Sequence, residues 1–445
     1  MPPANTLDST QALGHAPLGR LLWHACSQTT LSVGVYGIYA LSNAWFVARG
    51  VGETALAAVN LVTPLLLLLG AVSTTVGVGG ASLVARALGA GRPAAAADAA
   101  GNAMTIFWTA AVLTTVGGLL ALEPLLSLLG AHDEVRAFAR PYAAIILGGA
   151  VLSTGFSAIV RAEGRLRFST LLWVLPVLTQ LMLDPVLIYG FGLGIAGAAL
   201  GTVGGQAVSA GMSVWFFFGQ PSRPYRIGWS QLRPCAEVVT AIATFGAPSL
   251  LAGLGATLLA VVVNANLAAI ATGGAALAAY AVCARIQTFA SMPQVGITQG
   301  LQPIVGYNFG SGNLARTVRA RRLGLLATLG YGCLAAIALG LAADPLVRLF
   351  VDDPATTALA ANALRILSVG IATAGVAPLL AGYYQAIGRA TPSYLISIGT
   401  VVVIKLPLVL IAGSHSAELI WVALGAGECL AALAALMLAR YRRTA

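Results

Sequence analysis

The chain has 445 residues, of which 58% are hydrophobic and only 9% are charged. A soluble domain typically carries about 25% charged residues, so this composition excludes a water-soluble globular protein and indicates a membrane protein. The formal net charge is +10, but no basic stripe with interleaved aromatic residues accompanies it, and we therefore predict no nucleic-acid partner.

Apolar segments long enough to cross a bilayer as helices, about 20 residues each, recur along the whole chain. They lack the alternation of polar and apolar residues that marks a β-barrel strand. The segments predict helices at 20–45, 54–82, 98–121, 138–160, 169–189, 195–218, 238–268, 276–302, 320–342, 357–384, 393–412 and 416–438. The predicted fold class is an all-α integral membrane protein with twelve transmembrane helices.

Basic residues are distributed unevenly between the two sides of this predicted bundle. With the N-terminus inside, 17 of the 24 basic residues fall in cytoplasmic segments and 5 in outer ones, while Arg285 and Lys405 lie within helices. An excess of Arg and Lys marks the cytoplasmic side of a membrane protein. We therefore expect a multi-pass protein of the bacterial cytoplasmic (inner) membrane with both termini in the cytoplasm.

The two halves of the chain resemble each other at an offset of 221 residues. That offset maps Ala55–Ala58 onto Ala276–Ala279, and Gly89–Gly91 onto Gly310–Gly312. Two six-helix lobes of like orientation, related by a pseudo-two-fold axis along the membrane normal, are an arrangement used by transporters. We predict a cytoplasmic tail at 1–19, lobes at 20–219 and 238–438, a cytoplasmic linker at 220–237 and a basic tail at 439–445.

Three segments carry a resemblance to a known family. They are Gly50 to Val59, Pro293 to Gly310, and Leu183-Asp184-Pro185 followed by Gly197 to Thr202. In these segments the chain resembles the multidrug and toxic compound extrusion (MATE) family, and is most similar to its DinF-like and related prokaryotic branch. The resemblance implies two six-helix lobes that form a V-shaped cavity. It also implies export of cationic or amphipathic compounds in exchange for protons or sodium ions.

Asp184 lies inside the fifth predicted helix, where an ionised carboxylate costs several kcal/mol. Such a group must pair, bind a cation or take up a proton. Gln180 lies one turn earlier on the same helix face, and Thr202 and Gln206 are placed to face the pair from the sixth helix. The resemblance implies a cation site in the N-terminal lobe at these acid, amide and hydroxyl positions, with a sodium ion as the one metal expected. Alternatively, Asp184 satisfies backbone groups that Pro185 leaves unpaired.

Asn43 departs from the family pattern. The resemblance implies an aspartate at this position, a few residues before Gly50-Val51-Gly52. An amide can coordinate a cation or hydrogen-bond Asp184, but it cannot take up a proton. Coupling is then weaker, sodium-like through Asp184 alone, or lost. The alternative role for Asn43 is an ordinary hydrogen bond between helices.

Other polar and aromatic side chains in the helices are candidates for a substrate cavity. The candidates are Tyr36, Tyr39, Gln206, Asn264, Arg285, Gln287 and Gln294. Helix packing is the alternative role for the amides and the tyrosines. If Arg285 faces the cavity, it favours anionic or zwitterionic cargo, which differs from the cargo that the resemblance implies. Lys405 and Glu428 are expected to form a buried ion pair.

The chain shows no HExxH, GxSxG or phosphate-loop motif, and its cysteines have no CxxC spacing. We therefore predict that it is no enzyme and that it uses no cofactor besides the coupling proton or sodium ion. The predicted function is secondary active efflux of small molecules across the bilayer by a functional monomer. Two alternatives remain open, a flippase for a lipid-linked precursor and a dedicated exporter of a host secondary metabolite.

Overall fold

The computed structural model describes residues 7–153, 156–270, 273–351, 353–413 and 415–441. Within these ranges the chain forms twelve long helices and no β-strand. The first six are α1 Leu18–Gly50, α2 Glu53–Gly89, α3 Pro93–Leu120, α4 Asp133–Gly148 with its continuation Ser157–Ala162, α5 Leu166–Gly190, and α6 Gly194–Val214 extended by Trp215–Gly219. The second six are α7 Ala236–Ala268, α8 Gly273–Gly310, α9 Leu314–Leu341, α10 Pro354–Ala386, α11 Ala390–Gly413 and α12 Ala417–Tyr441.

Most of these helices have the composition of a bilayer span. In the described part of the chain, ten are long and apolar enough to cross a membrane by themselves. The other two are α6, which is rich in glycine, and α8, which carries Arg285 and several amides. Their lower apolarity comes from these small and polar residues, which suit helices packed against other helices.

Helix starts and connections follow local chemistry. The Asn313 side chain caps α9 by accepting from the Arg316 N–H at 3.0 Å, and Asp353 caps α10 through the Thr356 N–H at 2.8 Å. The hydrogen bonds from Thr356 lower the pKa of Asp353 below its usual range. Caps of this kind satisfy N–H groups that have no partner within the helix.

Left-handed glycines mark equivalent turns in the two halves. Gly91 and Gly312, which are 221 residues apart, have φ angles of 67° and 75°. Gly164 and Gly388 have φ angles of 82° and 73°, but they are 224 residues apart. The internal repeat is therefore present in the backbone, and the single offset of 221 does not hold beyond α4 and α10.

The described chain divides into two compact units whose boundaries lie inside helices. The first unit comprises 7–15 and Leu31–Gly246, and the second comprises Ala16–Thr30 and 247–441. The start of α7 belongs to the first unit, where Gly246 packs so closely on Thr75 that a Cβ would collide with its carbonyl oxygen. The start of α1 belongs to the second unit, where the Thr29 hydroxyl donates to the Gly296 carbonyl at 2.5 Å. These boundaries differ from the predicted ones at residue 20 and at 220–237.

Each unit has its own apolar core. The core of the first unit gathers small residues such as Ala55 and Ala58 around the fully buried Tyr142. The core of the second unit packs around Trp421 and Leu364, both with no exposed surface. Small residues between helices allow close backbone approach, which is the main packing device of membrane helices.

The connector between α6 and α7 packs against the first unit and does not form a free linker. The Asn102 Oδ1 atom accepts from the Cys235 N–H at 2.7 Å. The Thr105 hydroxyl donates to the Leu232 carbonyl, also at 2.7 Å. Gly101 leaves room for the Gln231 carbonyl, with which a Cβ would collide. Side chains of α3 therefore fix the path of the connector.

A buried ion pair holds the other end of the connector. Arg223 binds both carboxylate oxygens of Glu163, at 2.6 and 3.2 Å, and both side chains are at most 1% exposed. The Tyr225 hydroxyl donates to the same carboxylate at 2.5 Å. Burial, reinforced by the charge of Glu163, raises the pKa of Tyr225 well above its ordinary value. Phe217 covers the guanidinium face at 4.6 Å from its ring centre.

The predicted N-terminal tail contacts the junction between α4 and α5. A short helix, Thr10–His15, buries Ala12 and Leu13. The Thr10 hydroxyl donates to the Glu163 carbonyl at 2.6 Å, and the Asp8 carboxylate accepts from the Arg167 N–H at 3.1 Å. In the part of the tail that the structure describes, residues 7–15 are thus packed against the first unit.

Candidate functional site

The buried carboxylate of Asp184 is the centre of a polar cluster in the first unit. Asp184 is 1% exposed and lies in α5, directly before Pro185 and a π-helical turn. The Gln180 Nε2 atom donates to Asp184 Oδ2 at 3.3 Å and to the Thr202 hydroxyl at 3.2 Å. Turns with π geometry are rare in helices and occur frequently at functional sites. The structure thus brings together three of the four predicted cation-coupling residues through one amide group.

A run of glycines on α6 makes room for this carboxylate. Gly197, Gly201 and Gly205 are spaced four residues apart, and they face α5. A Cβ at Gly201 would collide with Asp184 Oδ1, and one at Gly205 would lie 2.7 Å from the Pro176 carbonyl. The sequence prediction missed this niche, although the spacing of small residues is the known signal for close helix packing in membranes.

Asn43 completes the cluster from α1. It is 7% exposed, and its side chain interacts with the Asp184 carboxylate. Nevertheless, Asn43 Nδ2 and Asp184 Oδ1 are both buried and have no partner of good hydrogen-bond geometry among the described residues. A buried carboxylate oxygen without a donor is costly, by about 1–3 kcal/mol or more. Asp184 Oδ1 therefore has unused capacity to hold a proton or a cation.

Two tyrosines border the cluster. Tyr39 of α1 interacts with Thr202 and Asp184, and Tyr142 of α4 lies within electrostatic range of both Tyr39 and Asp184. Tyr142 was not predicted, because nothing in its local sequence relates α4 to Asp184. The Tyr36 ring stacks on Tyr39 at 5.6 Å and meets Trp173 edge-on at 5.7 Å, and Tyr36 is 50% exposed. An aromatic surface thus extends from the cluster along α1.

The donor set indicates which ions suit this site. It consists of carboxylate, amide and hydroxyl groups, which are hard oxygen ligands preferred by ions such as sodium and able to share a proton. Within the described ranges, no group of three His, Cys, Asp or Glu side chains is placed to hold a metal ion. The chemistry of the cluster is that of a single buried carboxylate.

The remaining cavity candidates are not part of this cluster. Gln206 is partly buried, and no hydrogen bond in the described chain links it to Asp184. Asn264 and Arg285 are exposed on α7 and α8, and Gln287 is partly buried on α8. Gln294 is 3% exposed and its Nε2 donates to the Ile371 carbonyl at 3.0 Å, which is a contact between helices.

The predicted pairing between α11 and α12 is confirmed, but the ion pair is partly and not fully buried. Lys405 Nζ donates to Glu428 Oε1 at 2.5 Å, with side chains that are 17% and 29% exposed. Both residues lie in the second unit, and the pair neutralises two charges inside membrane-spanning helices.

Comparison with known families shows to which family the chain belongs. The MatE family model matches the chain twice, at residues 31–186 and 248–411. The chain belongs to the MatE family. The double match follows the internal repeat, and membership makes the chain a multi-pass membrane protein of a transporter family.

Curated relatives in this family cover most of the chain. The FAD transporter of Shewanella oneidensis is 26% identical over 410 residues, which is 88% of each protein. The multidrug export protein MepA of Staphylococcus saprophyticus is 24% identical over 404 residues, covering 90% of this chain and 89% of MepA.

Solved structures of MATE transporters share the fold. A multidrug-resistance member in an outward-facing conformation aligns with a TM-score of 0.91 over 98% of this chain, at 23% identity. A structure described as a MOP superfamily transporter from Pyrococcus furiosus also aligns, with a TM-score of 0.89 over 98% of this chain and 97% of that one, at 23% identity. The predicted twelve-helix, two-lobe fold of the family is thereby confirmed.

The niche at Gly201 gives a prediction for this site. Gly201→Ala is expected to push the Asp184 carboxylate away from Gln180 and to reduce transport by about 10-fold or more, because overpacking forces side chains out of place. Gly211→Ala on the same helix is the matched control, since a Cβ there meets no atom within 4 Å. Efflux from liposomes measures the rate of transport by both variants. Equal transport by the two variants would show that the position of the carboxylate is unimportant.

Proposed function

We propose that this member of the MatE family is a secondary antiporter that exports amphipathic or cationic small organic molecules in exchange for protons or sodium ions. The observation that carries the proposal is the buried Asp184, whose Oδ1 atom has no hydrogen-bond partner in the described chain. The proposed location is the bacterial inner membrane with both termini in the cytoplasm, as the distribution of basic residues favours.

The residues around Asp184 supply a simple coupling mechanism. Gln180 holds one carboxylate oxygen and leaves the other for the coupling ion. Without that ion, the buried charge is costly, and a proton or sodium ion at Asp184 removes the cost. In a second conformation the Asp184 carboxylate is hydrated, and binding of the coupling ion shifts the equilibrium toward the conformation that buries it. If the cargo binds better to the hydrated conformation, the ion and the cargo each weaken the binding of the other by the same factor.

The side chains of the Asp184 cluster limit how many protons the first unit can take up. Asn43 stands where the family resemblance implies a second aspartate, and an amide does not titrate. Asp184 is then the one carboxylate of the cluster, and the one group that can take up a proton there. We propose that the lobe exchanges a single positive charge per cycle, and that Asn43 supplies an oxygen ligand when the charge is a sodium ion.

An efflux experiment with purified protein tests the proposal. The protein is reconstituted in liposomes loaded with a fluorescent cationic dye, and a proton gradient or a sodium gradient is imposed separately. Faster dye efflux under one gradient than without it supports antiport and identifies the ion. If neither gradient accelerates efflux by protein that is folded and correctly inserted, the antiporter proposal for this cargo is wrong.

A second cargo class is favoured by Arg285. This residue is exposed on the membrane-spanning α8 and forms no ion pair within the described chain. A charge facing lipid at that depth is costly, so an exposed arginine indicates a water-filled surface. Guanidinium groups bind carboxylates and phosphates in bidentate fashion. The similarity to a protein named as a FAD transporter is consistent with such cargo.

Arg285→Gln separates the two cargo classes. If Arg285 contacts anionic cargo, the variant is expected to lose transport of a phosphate-bearing flavin by about 10-fold or more, because a charged hydrogen-bond donor is removed. Transport of the cationic dye should stay the same or increase. Arg348→Gln is the control, because it removes another exposed arginine, at the end of the short helix Ala343–Arg348. Equal effects of the two variants on both cargoes would exclude a selective role for Arg285.

A further inference from the structure

Arg161 is a buried arginine of the first unit that the proposed coupling at Asp184 does not use. It lies near the end of α4 and is 7% exposed. Within the described chain its guanidinium makes one hydrogen bond, a long one of 3.4 Å from Nη1 to the Ser169 hydroxyl. The other N–H groups of the fork keep their capacity to donate. A charged side chain inside a membrane-spanning helix is costly, and such residues mark the pathways of substrates and ions.

No carboxylate of the described chain forms an ion pair with Arg161. The nearest acid in sequence, Glu163, is already bound by Arg223 at 2.6 and 3.2 Å and by Tyr225 at 2.5 Å. Arg223 shows how a buried arginine is satisfied in this unit, because it also donates to the Phe217 carbonyl at 2.7 Å and lies over the Phe217 ring. The charge of Arg161 lacks such compensation, and a bound anion would provide it.

Hydrogen bonds connect Arg161 to an aromatic surface of the same unit. The Ser169 hydroxyl, which accepts from Arg161, donates to the Ser157 carbonyl at 2.9 Å. The Ser157 hydroxyl accepts from Trp173 Nε1 at 3.0 Å and so fixes the indole ring. The Tyr36 ring meets this indole edge-on at 5.7 Å, and Tyr36 is half exposed. One cationic group and two aromatic rings therefore lie within reach of a single small molecule.

This combination has the chemistry of a receptor for an aromatic anion. A guanidinium group binds a carboxylate or a phosphate through two parallel hydrogen bonds, and such charge-assisted bonds are the strong ones. Planar rings stack on tryptophan and tyrosine side chains. The serine hydroxyls carry no charge, so they do not repel an anion. Because the site is largely shielded from water, the attraction between the guanidinium and an anion is strengthened.

We propose that Arg161 binds the carboxylate or phosphate group of an aromatic cargo, whose ring lies against Trp173 and Tyr36. The inference rests on the proposed transport function, because it takes the bound anion as cargo. It is separate from the contact proposed at Arg285, which belongs to the second unit. Inorganic phosphate shares the guanidinium chemistry but cannot make the ring contact, so an experiment can distinguish the two kinds of anion.

Binding of flavin mononucleotide to the purified protein in detergent tests the proposal. The protein carries Arg285→Gln, so the arginine of α8 does not contribute. Riboflavin is the matched ligand, since it has the same ring and sugar-alcohol chain without the phosphate. The readout is the quenching of flavin fluorescence when the ring stacks on an aromatic side chain. Flavin mononucleotide is expected to bind about 10-fold or more tightly than riboflavin. No ion gradient is imposed, so failure here is distinguishable from failure of the proposed antiport.

Three variants locate the binding. Arg161→Gln is expected to raise the Kd of flavin mononucleotide by about 10-fold or more and to leave that of riboflavin unchanged, because it removes a charged donor. Arg161→Lys keeps the charge and should recover part of the affinity. Trp173→Leu leaves Arg161 in place and should reduce the quenching about twofold or more through loss of the ring contact. Arg167→Gln, at an exposed arginine in the first turn of α5, is the control and should bind both flavins as the parent protein does.

Three results would overturn the proposal. The first is equal affinity for the two flavins, and the second is the same affinity for flavin mononucleotide in Arg161→Gln and Arg167→Gln. The third is displacement of the flavin by inorganic phosphate at equal concentration, because Arg161 would then hold an inorganic anion and not an aromatic cargo. If Arg161→Gln does not fold, the comparison of the two flavins and the quenching in Trp173→Leu decide.

Discussion

Replacing Asp184 with asparagine is expected to abolish the acceleration of dye efflux by either ion gradient. The variant keeps the shape of the side chain and the contact with Gln180, but it removes the charge that a proton or sodium ion neutralises. A neutral amide costs less to bury than an unpaired carboxylate, so the variant should fold and unfold at the same or a higher temperature. Efflux from liposomes and thermal unfolding of the purified protein check the two parts.

A second carboxylate provides the control for this experiment. Glu418 is exposed in the first turn of α12, and Glu418→Gln makes the same chemical change away from the cluster. Its gradient-driven efflux should equal that of the wild type. If Asp184→Asn also transports at the wild-type rate, the coupling site lies elsewhere, and Asp184 serves the backbone around Pro185.

The helices were predictable because each is encoded in its own stretch of sequence. Apolar runs of bilayer length define them, and the predicted segments fall within or overlap all twelve observed helices. The boundaries of the two units were not predictable in this way. They depend on contacts such as Gly246 with Thr75 and Thr29 with Gly296, which join residues more than 150 positions apart.

Helical periodicity predicted the contacts of the candidate site that lie within one helix. Gln180 and Asp184 are one turn apart on one helix, so their contact follows from spacing alone. Asn43 was placed beside them by the family resemblance. Tyr142 comes from a helix that carries no such signal, and the Gly201 niche was present in the sequence as a regular glycine spacing.

The sequence did not reveal the buried ion pair of Glu163 with Arg223, in contrast to the pair of Lys405 with Glu428. Glu163 and Arg223 are 60 positions apart, at the end of α4 and in the connector. Their pairing depends on how the connector folds back on the first unit, which the Asn102 side chain helps to fix. The sequence presents this segment as a polar linker, because arginines and prolines are typical of exposed connections.

Glu163→Ala is expected to lower the stability of the protein by about 3–5 kcal/mol, the usual cost of removing one partner of a buried ion pair. The substitution leaves the Arg223 guanidinium and the Tyr225 hydroxyl without the carboxylate that both now contact at 2.5–2.6 Å. It also releases the connector at that point. Thermal unfolding of the purified protein in detergent measures the loss. The double variant Glu163→Ala/Arg223→Met should be more stable than Glu163→Ala, because it leaves no unpaired buried charge.

Glu123→Ala provides the contrast, since Glu123 also pairs with arginines but at the surface. Arg136 and Arg140 contact its carboxylate at 2.6 and 2.7 Å, and the Glu123 side chain is 47% exposed. Hydrogen bonds from these two arginines lower the pKa of Glu123, so its contribution is present above the usual carboxyl pKa and disappears as the pH falls through the lowered value. Because solvent screens exposed pairs, the unfolding temperature should change little. If Glu163→Ala changed stability as little as Glu123→Ala, the buried cluster would have no structural importance, and the connector would be held by its contacts with α3.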